Sequence, residues 1–167
     1  GYSALQSLLG ATFGSSNLNS ALAGITNPDY KITASGAFTF DQVLSFGGGL
    51  DVTATGGITL SQNLTTAGTT RFENAVTLGG DVTLQDASGS IAFMSTIDGA
   101  SRLTLKGASL SFNGAIGGTM SLTALTGAAT AGDITVGGRI NVTHGIVLAA
   151  NGIFTNTAGA SALNAGE

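Results

Sequence analysis

The stretch RFENAVTLGGDVTLQDASGSIAFMSTIDGASRLTLKGASLSFNGAIGG, residues 71–118, states one pattern three times. Phe72 is followed by Val76, Phe93 by Ile97 and Phe112 by Ile116, each four residues on. The phenylalanines are separated by 21 and then 19 residues. Between them apolar side chains alternate with polar ones, as in Val82 with Leu84, Leu103 with Leu105 and Leu110 with Phe112. Such alternation marks a strand with one buried and one exposed face. A period of about 20 residues that holds two or three short strands marks stacked coils.

The same alternation runs outward in both directions. It places Phe38 with Phe40, Leu50 with Val52, and Ile58 with Leu60 and Leu64. Later it places Ile134 with Val136, Ile140 with Val142, and Ile146 with Leu148. Glycine, Asn and Asp break these runs and supply turn chemistry. The expected fold is all-β: a right-handed parallel β-helix (β-solenoid) of about 20 residues per coil over residues 29–167. In such a tube each strand bonds its equivalent one coil away, at roughly 4.8 Å. Phe72, Phe93 and Phe112 then form an interior ladder of rings, and Val76, Ile97 and Ile116 an aliphatic ladder beside it. This reading makes the repeat core packing. An aromatic ligand row would need outward Tyr or Trp, and the chain has only Tyr2, Tyr30 and no tryptophan.

Residues 1–28 read differently. Leu5, Leu8 and Leu9, then Leu18, Leu22 and Ile25, have helix-compatible spacings. An irregular or short helical segment, or cap, is expected there, ending at the turn TNPDY.

Charged residues make up 8% of the chain, against roughly 25% in a typical soluble domain. Stacking accounts for this, because a charge repeated in every coil would face its own kind. A hydrophobic fraction of 43% and a net charge of −4 exclude a disordered chain. No apolar run reaches the roughly 20 residues of a membrane-spanning helix. Transmembrane barrels need strands of about 10 residues and aromatic girdles, which this pattern lacks. The absence of cysteine excludes disulfides and thiol chemistry. Lys31, Arg71, Arg102, Lys106 and Arg139 are scattered and form no patch in the sequence, so nucleic acid is not an expected partner.

Catalytic signals are sparse. A glycoside hydrolase needs two carboxylates roughly 5–9.5 Å apart. Asp81 and Asp86 are candidates, as is Asp98 with Arg102. Asp81 and Asp98 sit beside glycine at corners, where Asp commonly bonds a local turn, and this is the preferred reading. His144 is the only histidine, so no His-based triad or metal site is expected, and it reads as a solvated strand end. GGDVTLQDA lacks calcium-repeat spacing, and GGGL at Gly47–Leu50 lacks the Lys-Ser/Thr of a phosphate loop, so no cofactor is expected. Asn63 and Asn141 head glycosylation-type triplets. Thr53 with Thr55 and Thr155 with Thr157 are Thr-x-Thr pairs, but they do not recur at the coil pitch an ice-binding face requires.

Several segments resemble the large filamentous-haemagglutinin-like adhesins of Gram-negative bacteria, secreted by the two-partner route. LNSALAGITNPDYKITASGAFTF resembles their opening of a coil. GGLDVTATGGITLSQNLTTAGTTRFENAVTLGGDVTL and GSIAFMSTIDGASRLTLKGASLSFNGAIGGTMSLTALT resemble their central repeats. DITVGGRINVTHGIVLAANGIFTNTAGASALNAGE resembles the stretch before a Gly-Arg-aromatic segment, which implies a piece of a longer chain. NPDY only partly matches the Asn-Pro-Asn motifs of the secretion domain. The resemblance implies a non-catalytic surface fibre segment in adhesion or cell contact, exported unfolded through an outer-membrane transporter and folding outside. Its implied partners are glycans or proteins of host or neighbouring cells. Two rivals stand beside it: a filament subunit self-associating end to end, and a polysaccharide-active β-helix enzyme.

Overall fold

The computed structural model of the chain describes residues 29–157 in full, together with the backbone strands Ala4–Leu8, Phe13–Gly14 and Leu163–Ala165. Among the described residues all regular structure is β-strand, wound as a parallel solenoid of about six turns. A turn carries up to three short strands, one for each face of the tube. The first face stacks Tyr30–Ala34, Leu50–Ala54, Thr70–Phe72, Ile91–Phe93, Leu110–Phe112, Ile134–Val136 and Phe154–Asn156. The second stacks Phe38–Phe40, Ile58–Leu60, Val76–Leu78 and Ile97–Asp98, and single bridges at Ile116 carry it on to Ile140–Val142. The third stacks Leu44–Ser45, Leu64–Thr66, Val82–Asp86, Arg102–Gly107, Ala124–Ala129 and Ile146–Ala150.

Registered first-face residues Tyr30, Leu50, Thr70, Ile91, Leu110, Ile134 and Phe154 lie 20, 20, 21, 19, 24 and 20 residues apart. The long turn has a local cause. Ile116 pairs with Ile140 and Leu122 with Val142, so five residues, 117–121, stand opposite Asn141 alone. They leave the wall as a bulge, with Met120 54% exposed.

Register makes the interior a set of columns. Ile32, Val52, Phe72, Phe93, Phe112 and Val136 form one. The rings of Phe72 and Phe93 stack at 5.1 Å and those of Phe93 and Phe112 at 5.9 Å, nearly parallel at 16° and 5°. Phe38, Ile58, Val76, Ile97, Ile116 and Ile140 form the neighbouring column. All of these are buried. Each ring withdraws ~150–250 Å² from water, roughly 4–6 kcal/mol as an upper bound.

Glycine lets coils touch at the corners. Gly99 has φ +130, and a Cβ there would lie 2.6 Å from the Leu78 carbonyl oxygen of the previous coil. Leucine spacing predicts helix near Leu5, Leu8 and Leu9, yet Ala4–Leu8 is a strand, registered as Ala4 with Lys31 and Leu5 with Ile32. An open parallel edge on Tyr30–Ala34 offers backbone hydrogen bonds to a segment too short to sustain a helix alone. Leu18, Leu22 and Ile25 lie outside the described residues.

Candidate functional site

The carboxylates singled out in the sequence serve as links between coils. Asp81 Oδ1 accepts the Arg102 N–H at 2.8 Å. Asp98 Oδ1 accepts the N–H groups of Thr119 and Met120 at 2.8 and 3.0 Å, which holds the bulge against the coil before it. The pattern recurs beyond the carboxylates singled out in the sequence. Asp29 accepts Gly49 N–H, Asn63 accepts Thr83 N–H and Asp133 accepts Ile153 N–H, each 20 residues on. Asp29, Asn63, Asp81 and Asp133 each stand directly before the first buried residue of a strand. Asp or Asn immediately before an inward Tyr, Leu, Val or Ile is the signal that could have found them. Each caps a backbone donor at a strand start that the ladder leaves unpaired. Gly49 is required beside its cap, since a Cβ there would lie 2.9 Å from Asp29 Oδ1.

Asp86 is separated from the other candidates because it points inward. It is 3% exposed and sits among the wholly buried Thr66 and Thr70. Thr70 donates its hydroxyl to Asp86 Oδ2 at 3.2 Å, and the Thr66 and Thr70 hydroxyls are 2.7 Å apart. Asp86 Oδ1 accepts the N–H groups of Ser88 and Gly89 at 3.1 and 2.7 Å. A carboxylate so satisfied fixes a corner. Asp81 and Asp86 thus look to opposite sides of the wall, Asp81 exposed and Asp86 buried.

His144 is exposed, with Nδ1 3.1 Å from the Thr143 hydroxyl and 3.3 Å from the Thr123 carbonyl oxygen. No group of three metal-ligating side chains occurs among the described residues. Asn63 and Asn141 both reach across coils, Asn141 donating to the Gly117 carbonyl at 3.2 Å.

Outward side chains also stack in columns. Thr39, Thr59 and Thr77 form one on the second face, and Thr83, Thr104 and Thr126 one on the third. Thr53 registers with Thr33 and Thr155 with Thr135, in single file. The one charged column among the described residues, Lys31–Asp51–Arg71, alternates in sign. Lys31 lies 3.7 Å from Asp51, and Arg71 pairs with Glu73. The hydrogen bond that Arg71 donates to Glu73, then the Glu73 charge, raises the Arg71 guanidinium above its already high ordinary value, so it keeps its charge at any accessible pH.

A groove of about 310 Å³ opens on the third face, lined by Asn63, Asp81, Val82, Thr83, Arg102 and Thr104. The strand Arg102–Gly107 runs along it and turns Arg102, Thr104 and Lys106 outward, since its buried positions are Leu103, Leu105 and Gly107. Beside this strand lie Thr83 and Gln85 on one flank and Thr126 and Ala128 on the other. The two basic residues therefore share one exposed row.

Comparison of the chain with protein-family profiles, with curated proteins and with solved structures finds no match. The architecture rests on the strand register.

Proposed function

We propose that the chain is a non-catalytic structural segment of a secreted or surface-attached bacterial fibre that serves adhesion or cell contact. The observation that carries this reading is where the carboxylates go. Asp81, Asp98 and Asp133 each spend an oxygen on a backbone donor of the following coil, and Asp86 is enclosed. Side chains that an enzyme would reserve for substrate here support a stack whose product is length. At ~4.8 Å per coil, six turns extend the tube by roughly 29 Å. Export of an unfolded chain through an outer-membrane transporter fits a fold that adds coil by coil and needs no disulfide.

The test is display. An antibody raised against residues 29–157 should label intact cells of the producing bacterium, and deleting the segment should reduce attachment to a cell layer. Labelling only after cell lysis would sink the proposal. Turnover of an acidic polysaccharide that disappears in Asp98→Asn would replace it with the enzyme reading.

One observation favours a second reading, a filament subunit. At the last described turn Phe154 is 40% exposed and Ile153 68%, and among the described residues no strand pairs with the outer edge of Phe154–Asn156, an arrangement that a second copy of the chain can extend. Sedimentation that shifts with concentration, with fibres visible by electron microscopy, is the outcome this reading requires.

A further inference from the structure

Resting on the adhesion reading, we infer that the third face carries a binding site for a carboxylate-bearing polysaccharide, centred on Arg102, Thr104 and Lys106. The chain is acidic overall, at −4, yet of the three basic side chains without an ion pair among the described residues, Arg102, Lys106 and Arg139, two stand together here. Lys31 and Arg71 are committed to Asp51 and Glu73, whereas Arg102 and Lys106 form no ion pair among the described residues. Both are exposed on one strand, about 13 Å apart at ~3.3 Å per residue. The only acidic side chain in the groove is Asp81, one of whose oxygens is taken by the Arg102 N–H.

The surroundings choose the ligand class. Two cations are too few to hold a nucleic acid by phosphate neutralisation. The flanking rows of Asn63, Thr83, Thr104, Gln85 and Thr126 offer hydroxyls and amides and no large apolar surface for a peptide. Such rows match a ligand dense in hydroxyl groups. A planar guanidinium takes a carboxylate through two parallel hydrogen bonds, and Lys106 adds a point charge further along the same row. The free oxygen of Asp81 accepts from a sugar hydroxyl, which sets the direction of the chain across the groove. The columns repeat at ~4.8 Å, so the ligand lies along an extended, regular surface and has no closed pocket to enter.

The test uses the full 167-residue chain in native gels cast with polygalacturonate, carboxyl-reduced polygalacturonate, dextran or dextran sulfate. Retardation by polygalacturonate alone is expected. Arg102→Gln should weaken it about tenfold or more, the worth of a charge-assisted hydrogen bond, and Lys106→Gln should weaken it less. Arg139→Gln, a basic residue away from the groove, should leave it unchanged. No retardation of the unmodified chain overturns the proposal. So does equal retardation by dextran sulfate or by the carboxyl-reduced polymer, or equal loss in Arg139→Gln. The carboxyl-reduced polymer needs no variant, so a poorly folded Arg102→Gln cannot leave the question open. A negative result with surface labelling intact removes this site and leaves the fibre reading standing.

Discussion

Two turns of the same tube behave differently. On the rungs next to the last described ones, Leu125, Ala129 and Ile134 are buried at 0–3% exposure. One coil on, their registered partners Ile146, Ala150 and Phe154 are only part-buried or, for Phe154, 40% exposed. The strands have the same alternation and the same hydrogen-bonded partner below. What differs is the neighbour above. Burial in this protein is conferred by the adjacent coil, so apolar pattern alone does not determine how much a residue stabilises.

That contrast can be broken most strongly at the phenylalanine ladder. Phe93→Ala opens a cavity between two stacked rings and should cost about 3–5 kcal/mol in urea unfolding. Phe154→Ala, the same chemistry at the last turn, should cost less than about 1 kcal/mol. Equal costs would mean that the last turn is covered. The interior polar corner comes next. Asp86→Ala leaves the Thr70 hydroxyl and two backbone N–H groups without their acceptor and should cost about 1–3 kcal/mol. Among the corner caps, Asp81→Ala should cost about 1 kcal/mol, and Asp81→Asn almost nothing because an acceptor oxygen remains. Asp133→Ala should cost less than Asp81→Ala, since the N–H it caps precedes a strand paired on one side among the described residues, whereas Arg102 opens a strand paired on both. The smallest effect belongs to the surface: Lys31→Ala should cost below about 1 kcal/mol in thermal melts, and the difference should fade in 1 M salt. Amide exchange sharpens the same comparison, with residues 91–112 protected far longer than 146–157.

Much of this architecture is legible from the chain. The recurrence of Phe72, Phe93 and Phe112 discloses the pitch, because a column needs the same size of side chain on neighbouring rungs. The turn role of Asp81 and Asp98 is legible from glycine beside them, although the partner is a backbone donor about 21 residues away instead of a local one. Other features are hidden for physical reasons. Thr66, Thr70 and Asp86 occupy inward positions with polar side chains, and alternation cannot show that three polar groups satisfy one another. The bulge at 117–121 is a run of small residues whose departure from the wall depends on the register of the next coil. Arg102 and Lys106 look scattered among five basic residues, and they converge only once Leu103 and Leu105 are known to point inward. The leucines at 5 and 8 follow the spacing of a helix, and a waiting sheet edge turns Ala4–Leu8 into a strand.

The column Lys31–Asp51–Arg71 bears on how such a chain can grow. Tubes of this kind lengthen when a coil's worth of coding sequence is copied next to itself. A copy of the uncharged coil 110–132, which carries Ser111 and Thr126, would set serine on serine and threonine on threonine. A copy of the coil carrying Asp51 would set aspartate on aspartate, at the distance where like charges oppose each other. Coils without charge are therefore the ones free to multiply, and the charged ones mark the part of the tube where duplication is held back.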